Sequence, residues 1–330
     1  MAACESGDFA RANDLGTKAL QLAANPAERY LALVPLGVAA LRQGDLSAST
    51  RYWERLAADE DSPAGYRAAG FASLALTACY SGDPRAAQRH AARARLAATA
   101  SGSGAIRAFA SYAAGEVALL GNQQAAIVLL RAAADEAAAT GAGHVVTVAL
   151  IALVSALTRL HWHDEALAVF PALLEQARRN GDWPYLWTAL RIGAELLAAS
   201  GQPETAALLL AAARHAPSAP ALTGADITRY RDLEHDLERQ LSQQSGPGAL
   251  GQIDTLARTL PRAQVLDHAL CALTARGQEL IAGPLSSRRP AGEDIPLRAA
   301  TQESNFTQIQ RHTISWHGRL RKPPKRPPPR

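Results

Sequence analysis

Apolar residues return along this chain with helical spacing, and short polar turns interrupt them at nearly regular intervals. Ala69, Leu74 and Ala78 share a face of residues 66–80, after which Gly82-Asp83-Pro84 stops the run. Asp83 suits the cap of a following helix and Pro84 its first turn. That helix is expected over 85–98, ended by Ser101-Gly102-Ser103-Gly104. Paired helices follow at 107–120 and 124–139, at 145–160 and 165–179, and at 184–199 and 204–215. No stretch alternates β-branched or aromatic residues with polar ones, so no sheet is expected.

The turns keep register. Gly7, Gly44, Gly82, Gly121 and Gly201 mark five of them, His161 takes the equivalent place in another, and the steps run from 37 to 40 residues. Five residues past each turn stand Ala12, Ser49, Ala87, Ala126, Ala166 and Ala206. Seven before stand Gly37, Ala75, Ala114, Val154 and Ala194; twelve after stand Ala19, Leu56, Ala94, Ala133, Leu173 and Ala213. Such a period, filled with helix formers, is the signature of helix pairs stacked into an α-solenoid. Small residues at these spacings resemble tetratricopeptide repeats, whose two helices cross closely there. The resemblance implies an all-α, right-handed solenoid of tetratricopeptide-like pairs, in units longer than the usual ~34 residues. It points to a recognition surface and away from a catalytic pocket.

About six units are expected over residues 1–243, the first incomplete because only its second helix, 9–22, is present. A solenoid normally starts with a capping element, so the chain reads as a fragment of something longer. A charged helix at 226–241 is expected to present a solvated face. Apolar helical sequence at 252–280, interrupted by Pro261, suits a terminal cap over 244–283. From 284 to 330 the helical period is lost, and a disordered basic, Pro-rich tail is expected.

Charge sharpens this division. The net charge is +4, but residues 286–330 hold ten Lys/Arg and three Asp/Glu, leaving 24 basic and 27 acidic residues in the first 285. Nucleic acid or an anionic surface is therefore expected to engage the tail and not the repeats. Cys4, Cys79 and Cys271 are scattered through apolar sequence and read as small buried hydrophobes of a reducing compartment. Glu5, Asp8 and Arg11 interrupt any leader-like run, and the longest apolar run, 145–157, has 13 residues against the ~20 needed to cross a bilayer. A cytoplasmic protein without a membrane span is expected.

Residues 183–201 carry a more specific pattern, Trp-Pro-Tyr-Leu-Trp-Thr-Ala-Leu-Arg-Ile-Gly-Ala-Glu-Leu-Leu-Ala-Ala-Ser-Gly. With the Ala/Leu-rich helix at 204–214 and Leu266-Asp267-His268-Ala269-Leu270-Cys271-Ala272-Leu273, it resembles the C-terminal repeats of large actinobacterial transcriptional regulators of the LuxR and AfsR/SARP (BTAD) types. Related ATPase-linked adenylate cyclases share the pattern. The resemblance implies a sensor or oligomerisation arm of a signal-transducing protein. No Gly-x-x-x-x-Gly-Lys-Ser/Thr phosphate loop occurs, and no helix-turn-helix with a basic recognition helix is evident.

Candidate chemistry is sparse. His161 and His163 sit in a turn with Asp164, which suits a helix cap better than a metal ligand. Trp183, Trp187 and Arg191 lie at i, i+4 and i+8 and form the candidate partner-binding face. No nucleophile–base set, cofactor motif or metal set is expected, so the chain is not read as an enzyme. The expected function is a protein- or effector-binding repeat module of a signal-responsive regulator. Its partner would lie on the concave face, with self-association also open. The alternatives are the repeat arm of an ATPase-linked enzyme such as an adenylate cyclase, or a free-standing adaptor.

Overall fold

Asp45 ends one helix and begins the next. Its N–H closes back on the Ala40 carbonyl at 2.9 Å, while its carboxylate accepts from the Ala48 N–H at 2.8 Å. Gly44 between them adopts φ +82, which lets the chain reverse without an unsatisfied carbonyl. Asp8 and Asp83 repeat both bonds, and Gly7, Gly82 and Gly201 repeat the left-handed conformation.

The computed structural model describes residues 2–222 and 225–282. The predicted tail lies outside the described residues. Among those described there are fifteen helices and no strand. They are α1 (Ala2–Ser6), α2 (Phe9–Leu22), α3 (Pro26–Arg42), α4 (Leu46–Ala58), α5 (Ala64–Tyr80), α6 (Pro84–Ser101), α7 (Gly104–Ala118) and α8 (Gln123–Ala139). They continue with α9 (Gly143–Arg159), α10 (His163–Asn180), α11 (Trp183–Ala199), α12 (Pro203–His215), α13 (Ala225–Ser245), α14 (Ala249–Thr259) and α15 (Arg262–Ala282). From α2 to α12 each helix packs on the next, and α5, α7, α9 and α11 also pack on one another in turn. No helix among the described residues is long and apolar enough to cross a membrane.

The small positions of the sequence mark close approaches. Ala12, Ser49, Ala87, Ala126, Ala166 and Ala206 are all buried. At Gly37 a Cβ would stand 2.4 Å from the Trp53 ring, so only glycine admits that indole. The ring is fixed there by a bond from its Nε1 to Ser49 Oγ, whose hydroxyl in turn donates to the Gly37 carbonyl. Ala19 departs from the pattern and is exposed, because α2 packs chiefly on α3 and nothing covers its far side among the described residues.

One turn differs from expectation. Gly121 is not among the left-handed residues, and Asn122 N–H bonds to Ala118 O, four residues back instead of five. α7 ends three residues before Gly121, whereas α3, α5, α9 and α11 end two before their marker residue. Counted from the helix end, the partner of Gly37, Ala75, Val154 and Ala194 is therefore the fully buried Ala113 and not the half-buried Ala114.

The predicted helix at 226–241 extends over α13 and is not solvated all round: Tyr230, Leu237 and Leu241 are buried along one side. The expected boundary at 243 falls near the end of α13. The apolar stretch beyond it is two helices, divided at Leu260-Pro261, with α14 on α12 and α15 across α10, α11 and α12. Residues 1–283 form one compact unit.

Candidate functional site

Asp182 caps α11, its Oδ1 accepting from the Tyr185 N–H at 3.3 Å. Its second oxygen accepts from Arg42, at the end of α3, at 2.9 Å. Arg42 also donates to the Cys4 carbonyl at 2.8 Å and lies over the Tyr185 ring, 4.4 Å from its centroid. Both members of the ion pair are buried. Every strong polar group here is matched, as a buried charge pair requires if it is not to cost several kcal/mol.

The residues 216–222 bind the same junction from above. Ala221 N–H donates to the Arg42 carbonyl at 2.9 Å. Trp187 Nε1 donates to Ser218 Oγ at 2.9 Å and Arg191 to the Pro220 carbonyl at 2.8 Å. Gly7 lies so close to Ser218 that a Cβ would come within 2.2 Å of it. The candidate face Trp183, Trp187 and Arg191 is thus brought together on α11, but Trp187 and Arg191 are buried against the chain's own segment. Trp183 is half-buried with the Arg262 guanidinium 4.1 Å from its ring centroid.

From this junction a line of polar and aromatic groups extends across the odd-numbered helices. His144 of α9 sets its ring 5.3 Å from that of Tyr185. The His144 side chain is exposed on one side, and the protein packed around it, followed by the Arg42 charge, lowers its imidazole below the usual histidine range. Tyr112 of α7 couples electrostatically to both Tyr80 of α5 and Glu116 one turn further along α7. Burial raises the Glu116 carboxyl to about 7, opposed by Arg159 and by the Tyr112 hydroxyl. Tyr80, Tyr112 and Tyr185 feel one another electrostatically, and burial raises all three phenols. Burial likewise pushes the Cys79 thiol up to about 12, which leaves it a poor nucleophile.

Helices α3, α5, α7, α9 and α11 therefore contribute Arg42, Tyr80, Tyr112 with Glu116, His144 and Tyr185 to one connected cluster. Sequence reasoning missed it. The available signal was polar aromatic residues breaking otherwise apolar Ala/Leu helices near their ends. Beyond the Arg42 guanidinium, which Asp182 neutralises, the cluster holds neutral donors and acceptors with one carboxyl poised between protonation states, which suits polar recognition. Of the turn residues, His161 and His163 face each other edge-on with centroids 5.6 Å apart. Trp162, not Asp164, occupies the cap position of α10, and Asp164 lies in its first turn. Among the described residues no three His, Cys, Asp or Glu side chains are grouped to hold a metal ion.

Compared with models of protein families, with curated proteins and with solved structures, the chain matches none.

Proposed function

We propose that this chain is the effector-binding module of a signal-responsive, cytoplasmic transcriptional regulator, a right-handed solenoid of tetratricopeptide-like helix pairs. The observation that carries this reading is the convergence of side chains from five successive odd-numbered helices on one inner cluster. In a solenoid these helices line the concave face, where a ligand touches several repeats at once. The Arg42–Asp182 pair and the segment over it close that face at one level. The polar groups of the cluster suit a small polar molecule better than a partner helix, which needs an open apolar groove. Trp183 would stand at the rim and contribute from outside the cluster.

A thermal-shift screen of small polar metabolites against the wild-type chain and the Tyr112→Phe/Glu116→Gln variant tests the reading. A ligand at a hundred times its Kd should stabilise the wild type by about 2.7 kcal/mol, and the variant should lose most of that gain. Equal stabilisation of both proteins would place the ligand elsewhere.

A further inference from the structure

Residues 62–115 carry six arginines and a single acid, Asp83, although the first 285 residues together are slightly acidic. The fold gathers part of this excess on one surface. α6 contains no Asp or Glu and buries Ala87, Ala91, Ala94 and Ala98. At about 100° per residue, Arg85, Arg89 and Arg93 stand on the opposite side, and all three are exposed. None of them takes part in an ion pair among the described residues. The neighbouring α5 supplies no counter-charge either, since Arg67 is its one charged residue. Arg93 is held in place by Phe71, 4.0 Å from the ring centroid. The field reaches His90 in the same helix: after burial, Arg93 and Arg89 disfavour its proton, against the opposing pull of Glu54 and Asp83.

We propose that the exposed face of α6 binds the phosphate backbone of a nucleic-acid duplex through Arg85, Arg89 and Arg93. An ordinary solvated helix mixes both signs of charge, as α13 does with Asp226, Arg229, Asp236 and Arg239. α6 instead keeps three uncompensated guanidinium groups in a row about 12 Å long. That length covers three to four base-pair steps along the duplex axis, at about 3.4 Å of rise each. The guanidinium fork matches phosphate oxygens in pairs. Contacts of this kind position a protein on a duplex without reading its sequence. The surface is separate from the inner cluster and does not depend on an effector occupying it.

The experiment uses the full chain and fluorescence anisotropy with a duplex of about 20 base pairs between 50 and 200 mM salt. The wild type is compared with Arg85→Gln/Arg89→Gln/Arg93→Gln and with a control, Arg178→Gln/Arg179→Gln. The basic residues at 319–330 are common to all three proteins, so their contribution cancels in the difference. The triple variant should bind at least ten-fold more weakly near 100 mM salt, for every duplex sequence tried. Its slope of log K against log salt should be shallower by about 2.7, at about 0.9 per lost contact. Circular dichroism should be unchanged in both variants. No binding by the wild type at 50 mM salt would overturn the proposal, as would an unchanged slope or an equal loss in the control. A triple variant that loses binding to polyglutamate but keeps the duplex would overturn it in favour of an acidic protein partner.

Discussion

Arg42 and Asp182 are 140 residues apart in sequence and meet at 2.9 Å in a buried ion pair. Asp182 also caps the helix that carries Tyr185, and Arg42 stacks on that same ring. The pair therefore ties the end of α3 to the start of α11 and fixes the level at which the two meet.

Removing one partner leaves the other charged, buried and unpaired. Arg42→Ala and Asp182→Ala should each destabilise by about 3–5 kcal/mol, and Asp182→Ala by about 1 kcal/mol more through the lost cap. The double variant should cost clearly less than the sum, because the second substitution removes the charge stranded by the first. Urea titration of all four proteins measures this. Additive losses would show that the two residues act separately.

The segment over that junction gives a second expectation. Arg191→Met keeps the apolar stem but leaves the Pro220 carbonyl without its donor. Trp187→Phe does the same to Ser218. Each should cost about 1–3 kcal/mol. Both should speed proteolytic cleavage within 216–222 more than at the α4–α5 connection, which serves as an internal reference. Uniform acceleration at both places would indicate global loosening only.

Turn chemistry offers a cleaner comparison. Gly82 and Gly121 both open onto free space, with no atom within 4 Å of a built Cβ. Only Gly82 is left-handed, at φ +76. Gly82→Ala should therefore destabilise by about 1 kcal/mol, whereas Gly121→Ala should be neutral or stabilise by about 0.4–1 kcal/mol through the unfolded chain. His161 occupies the same conformation at φ 60 with a side chain, so His161→Gly should stabilise by about 0.5–1 kcal/mol. Thermal unfolding of the three single variants decides whether the fourth turn differs in the way described.

Much of the helical architecture was legible because its signals are local. Asp83 and Pro84 announce the start of α6 within two residues, and Gly44 announces its reversal by itself. The shifted fourth turn was not legible. Leu119 and Leu120 continue the apolar composition of α7, and only the hydrogen bond of Asn122 to Ala118 shows that the helix has already ended. The spacing of Trp183, Trp187 and Arg191 puts them along one side of a helix, yet spacing cannot say what covers that side. The cover is a loop some 30 residues further on. The inner cluster depends on contacts such as Arg42 with Asp182, which no periodicity encodes.

The inner cluster makes a pH-dependent prediction in which two groups oppose each other. Glu116 rises from 4.5 to about 7 on folding. The folded state holds its proton more tightly, so stability is full below pH 4.5 and falls as pH rises toward 7. His144 drops from 6.5 to about 4. The unfolded state holds that proton more tightly, so stability is full above pH 6.5 and falls as pH drops toward 4. Across roughly pH 4.5–6.5 the two slopes oppose each other in the wild type, and the histidine's is the shallower because His144 is exposed and solvent screens it. Substitution uncovers them separately. In Glu116→Gln only the histidine remains, and stability should climb with pH through this window. In His144→Gln only the carboxyl remains, and stability should decline over the same window and on to pH 7. Urea titrations at half-unit intervals would read both slopes. Parallel profiles in the two variants would mean that neither group shifts on folding in the direction assigned to it, and the inner cluster would lose its electrostatic basis.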